Sequence, residues 1–180
     1  MSFHVLVTGS LKLNHVQIEE WLTSSLMVDH LEWLTEADGL PSTLSTPEQL
    51  MAHLQDMTLA PHEILDVELN EDTLEVSAYL SKDAFEEGWA ALSRLFSSAA
   101  GFEANGSLTA LGFQGIQLGE RISVSDGTAT HRVLTLSERD SAQRDESMTA
   151  LQDRITQRFD VLVGRRPDVV SPGINPFTGR

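Results

Sequence analysis

The stretch ILDVELNEDTLEVSAYL, residues 64 to 80, decides the fold. Leu65, Val67 and Leu69 alternate with Asp66 and Glu68. After the polar break Asn70, Glu71, Asp72, the alternation resumes with Leu74, Val76, Ala78 and Leu80. A period of two on both sides of a short polar break predicts an antiparallel hairpin, because successive strand side chains point to opposite faces. If the aliphatic set faces a core, Asp66, Glu68, Glu75, Ser77 and Tyr79 share the opposite face, beside Glu71 and Asp72 in the turn.

Upstream, Phe3 to Thr8 reads as a short strand buried on both faces. Asn14 and Gln17 have capping-box spacing, which predicts a helix over 15–26 that buries Ile18, Trp21 and Leu22. Residues 27–45 fit either a helix or a strand until Gly39 and Pro41 impose a loop. Thr46 as cap, Pro47 in the first turn and Gln49 start a helix over 46–57, with Leu50, Leu54 and Met57 on one stripe.

Downstream, Ser81 is expected to cap a helix over 82–100, carrying Phe85, Trp89, Leu92, Phe96 and Ala99 at helical spacing, with Gly101 as its stop. Gly-rich residues 106–127 hold short apolar segments. Asp126-Gly127 predicts a hairpin turn into a strand over 130–136. A last helix over 142–163 aligns Met148, Leu151, Ile155, Phe159 and Leu162. Beyond Gly164, the prolines and glycines favour an extended tail, 165–180. Strands and helices do not alternate strictly, which disfavours a doubly wound parallel sheet. The expected class is α+β: one domain over 1–164, with a mostly antiparallel sheet of five to six strands and about four helices.

Charge narrows the function. The 180 residues carry 27 acidic and 12 basic side chains, a formal charge of -15. Residues 1–80 hold 14 of the acids and one base, Lys12, so most of the negative field belongs to that half. A phosphate backbone or an anionic membrane would be repelled, so neither nucleic acid nor a lipid surface is an expected partner. The absence of cysteine excludes disulfides and thiolate sites. No apolar run approaches membrane-spanning length and no signal peptide is visible, so a cytoplasmic protein is expected.

The motifs that could carry chemistry are incomplete. Val5 to Ser10 resembles the strand and turn that open a dinucleotide fold, but no further glycine follows Gly9, which reads instead as a strand-ending turn. His62-Glu63 begins like a zinc-protease helix, yet Asp66 stands where the second histidine belongs, and Pro61 makes this a strand entry. The six histidines form no pair at helical or hairpin spacing, so neither a metal nor a cofactor is expected. Gly106-Ser107 lacks the second glycine of a nucleophile elbow.

In size, acidity and lack of an evident active site, the chain is similar to bacterial toxin-neutralising immunity proteins, a likeness of composition and size. The expected function is therefore an acidic, non-catalytic binding protein, an inhibitor or immunity-type factor for a basic partner protein. Asp66, Glu68, Glu71, Asp72, Glu75 and Tyr79 are the expected contact. Two alternatives are a small hydrolase with a His/carboxylate site and an adaptor subunit of a larger complex. Arg165 and Arg166 are expected to dock the tail on an acidic surface of the same chain or of a second copy, the latter giving a homodimer.

Overall fold

The two alternating runs form strands β2 (Ile64–Asn70) and β3 (Thr73–Ser81), turning at Glu71 in the left-handed region (φ 55°). The computed structural model describes residues 3–26, 43–114 and 116–164. Strand β1 (His4–Lys12) is flanked by β3 and by β4 (Asn105–Gly112), both antiparallel to it. With β5 (Gly119–Ser125) and β6 (Thr128–Val133), they form a six-stranded antiparallel sheet in the order β2-β3-β1-β4-β5-β6. Five α-helices accompany it among the described residues: α1 (Ile18–Thr23), α2 (Pro47–Gln55), α3 (Lys82–Ser98), α4 (Leu136–Gln143) and α5 (Glu146–Gly164). The α+β class with an antiparallel sheet is the expected one.

One sheet face carries the larger core. Val5, Val7 and Leu11 of β1, Val67 of β2, Leu74, Val76, Ala78 and Leu80 of β3, and Leu108 of β4 pack under Leu92, Leu95 and Phe96 of α3. Trp21 of α1 and Leu50 and Leu54 of α2 close the same cluster. Trp21 is fully buried, and its indole Nε1 donates to Ser98 Oγ at 2.9 Å, so the polar atom of a large core side chain is satisfied. The opposite face holds a smaller cluster at one end only. There Leu6, Ile64, Tyr79 and Leu111 meet Ala142 of α4 and Met148, Leu151 and Ile155 of α5.

Several expectations need correction. Gly9 lies inside β1, which continues to Lys12. A Cβ there would come within 2.7 Å of Leu108 Cδ1, so the glycine admits close packing inside a strand instead of ending it. The expected strand over 130–136 stops at Val133; the final helix, expected over 142–163, is α5, and a separate helix not expected there, α4, precedes it. Thr135 and Glu138 form a full capping box that starts α4, and Arg144 and Asp145 separate it from α5. Residues 15–17 form a 3-10 turn before the short α1, with Asn14 Oδ1 accepting from the Val16 amide.

Ser81 sits at the N-cap of α3 but makes no side-chain cap bond; its own amide donates to Glu63. Gly101 is not the stop, since a 3-10 turn over Ala99–Phe102 follows α3 and Glu103 takes the left-handed position. Phe85 and Trp89, expected in the core, are only part-buried, stacked on each other 5.6 Å apart. The stretch 27–42 and the tail 165–180, with Arg165 and Arg166, lie outside the described residues.

Candidate functional site: the polar sheet face and its acidic end

Strand register dictates which residues share the second face beyond the reach of α5. One row runs Asp66, Ser77, Thr8, Thr109, Arg121, Arg132 from β2 to β6, and the next runs Glu68, Glu75, Ser10, Ser107, Ser123, Thr130. Both rows are polar, with short hydroxyl side chains in the centre. Carboxylates stand at the β2–β3 end and guanidiniums at the β5–β6 end. The absence of aliphatic residues in these rows explains why α5 packs only over the end where Leu6, Tyr79 and Leu111 stand.

The six residues expected in a partner contact divide into three groups. Glu68 and Glu75 are directly opposite across the β2–β3 ladder, and both are exposed, as is Glu71 in the turn. Among the described residues, no cationic side chain forms an ion pair with any of these three. Asp66 and Asp72 are already engaged. Arg154 of α5 pairs with Asp66 and Lys12 of β1 with Asp72, so two carboxylates without a cation on their own hairpin find one elsewhere in the fold. The Lys12 hydrogen bond holds the Asp72 carboxyl below its ordinary range.

Tyr79 is a correction. It is 3% exposed, inside the second core, with its ring stacked on His4 at 4.7 Å and edge-on to Phe113. Burial, reinforced by the charge of Glu63, pushes its hydroxyl up to about 12. A side chain so covered cannot be an exposed anchor, because α5 lies across the sheet where the hairpin alone suggested an open face.

Around Tyr79 the fold assembles what no spacing announced. His4 and His62, 58 positions apart, bring their Nε2 atoms to 3.2 Å, with the rings edge-to-face. Beside them Glu63 is buried. Its Oε2 accepts from the Ala60 amide at 2.6 Å and its Oε1 from the Ser81 amide at 2.7 Å, so one carboxylate ties the turn before β2 to the end of β3. Burial by itself would raise this carboxyl. The hydrogen bonds from Ser81 and Ala60, together with neighbouring His62, outweigh it and hold the group below its ordinary value.

Comparison of the chain with protein-family models, curated proteins and solved structures yields no match. Among the described residues, no helix is long and apolar enough to cross a membrane.

Proposed function

We propose that the chain binds a basic protein through the acidic end of its polar sheet face, with Glu68, Glu71 and Glu75 in the contact, and acts as an inhibitor or immunity-type factor. One observation carries this reading: Glu68 faces Glu75 across adjacent strands, both exposed and neither offset by a cation among the described residues. Like charges directly opposite destabilise a ladder, so the pair costs the fold something. A cationic partner would relieve it. The short side chains of Ser10, Ser77 and Ser107 beside the pair leave room for approach, and Asp66 and Asp72 add field at the rim.

The test separates binding from stability. Replacing Glu75 by lysine creates an opposite-charge pair with Glu68, so the variant should melt no lower than the parent and about 0.2–1 kcal/mol more stably. The same variant, and more strongly Glu68→Lys with Glu75→Lys, should slow association with a basic partner captured from the native source, in a salt-dependent manner. Unchanged association by the double variant would reduce this face to a solvated surface.

A hydrolase reading has one observation behind it. His53 Nε2 lies 2.8 Å from Glu87 Oε1, outside hydrogen-bond geometry, in a groove shared with Thr58, Glu63 and Ser81. Turnover of an ester or amide that is lost in His53→Ala would favour it.

A further inference from the structure

We propose that His4 and His62 form a two-histidine site for one divalent transition-metal ion of the borderline class that imidazole prefers, zinc foremost, held through both Nε2 atoms.

The separation is the first support. Nitrogens 3.2 Å apart are at the long limit of a hydrogen bond. An ion at the ~2.0–2.1 Å bond length of zinc to imidazole would subtend about 100° between them, close to the tetrahedral angle. Pre-organisation is the second. His4 is 7% exposed in β1, which has strands on both sides, and its ring lies flat against Tyr79, tilted by only 10°. His62 belongs to a turn pinned at two points: Glu63 bonds the amides of Ala60 and Ser81, and Arg158 Nε donates to the Pro61 carbonyl at 2.8 Å. The rings are therefore presented to each other by surroundings that do not depend on the ion. Charge is the third. The buried carboxylate of Glu63 is satisfied by backbone amides, with no ion pair to a lysine or arginine among the described residues, so a nearby cation meets a favourable field.

No third histidine or carboxylate completes a ligand set among the described residues. Water would fill the remaining positions, giving an exchangeable site weaker than a four-ligand structural centre. Its mechanical effect is specific. In the strand order β2-β3-β1, such an ion clips the start of β1 to the turn that feeds β2, reaching over β3 across Tyr79. Because it binds the folded chain, it raises the melting temperature by mass action.

The experiment titrates zinc chloride into the full-length chain, followed by calorimetry, thermal melting and long-range proton–nitrogen spectra of the histidine rings. The expected result is one ion per chain, a melting temperature that climbs with zinc, and shifted Nε2 signals for His4 and His62 and no other histidine. The variants His62→Ala and His4→Gln should each lose this binding. The ring spectra of the unmodified chain decide the matter even if a variant fails to fold. No saturable binding, or shifts confined to other histidines, or His62→Ala binding as tightly as the parent, would each overturn the proposal. The first outcome leaves a plain N–H···N hydrogen bond; the other two place the ion elsewhere, for instance at His53 and Glu87.

Discussion

The two faces of the sheet have opposite designs. The first is aliphatic along most of its strands and is roofed by α1, α2 and α3, so its core draws on residues from Val5 to Val124. The second is aliphatic only at one end, under α4 and α5, and turns polar one residue pair further along each strand. Coverage follows composition. A helix stays where its apolar stripe meets apolar side chains, and the hydroxyl rows beyond offer it no gain from leaving water. The first face is therefore covered along most of its length, and the second divides its area between holding α5 and carrying polar rows beyond the reach of that helix.

The largest test of that contrast is a pair of tryptophans. Trp21→Ala on the first face should cost about 3–5 kcal/mol, because a fully buried indole leaves a cavity and removes the bond its Nε1 donates to Ser98 Oγ, which keeps only its own donation to the Leu95 carbonyl. Trp89→Ala, also large to small but at a part-buried site, should cost roughly half as much or less by chemical denaturation. Equal costs would mean that α3 buries more at its Trp89 side than its exposure indicates.

A smaller effect tests the second face. Glu63→Gln should lower stability at neutral pH by about 1–3 kcal/mol, since a charged acceptor of two amide bonds is replaced by a neutral amide whose nitrogen cannot accept. The folded-state carboxyl is held below its ordinary value. Its contribution is thus full above the unfolded carboxylate range and is lost as pH falls through the folded value. The gap between parent and variant should close on acidification, and thermal melts from pH 7 down to 3 would show it. A pH-independent gap would assign the cost to packing alone.

The mildest test is spectroscopic and needs no mutation. The chain has one tyrosine, so tyrosinate absorbance reports Tyr79 alone. Its midpoint in the folded protein should lie near 12, and in denaturant near 10. A folded midpoint near 10 would mean that α5 does not cover the ring.

What was legible in the sequence was local. The hairpin, α2, α3 and the stripe of α5 announce themselves by periodicity and by caps such as Thr46, whose hydroxyl accepts from the Gln49 amide as spacing predicts. The misses have a common cause in contacts between distant segments. Gly9 reads as a turn until α3 and β4 press Phe96 and Leu108 against it. Tyr79 reads as exposed until α5 crosses it, and Ser81 reads as a cap until Glu63 claims its amide. His4 and His62 could not be paired in advance, because nothing in a one-dimensional pattern links positions 58 apart. One miss was avoidable: Thr135 and Glu138 carry a capping box that marks the start of α4 in plain sequence.

The two outermost strands also differ, with a consequence for self-assembly. On β2, Gln55 of α2 reaches down so that its Nε2 donates to the Val67 carbonyl, occupying an acceptor that a foreign strand would need. Among the described residues, β6 has a strand neighbour on one side only, and Val133 stands 70% exposed on it. An unguarded edge invites another strand, and two unguarded edges invite a fibre. Two copies joined β6 to β6 would leave two β2 strands outermost, each with its Val67 acceptor already taken, so further strand addition there would begin one bond short.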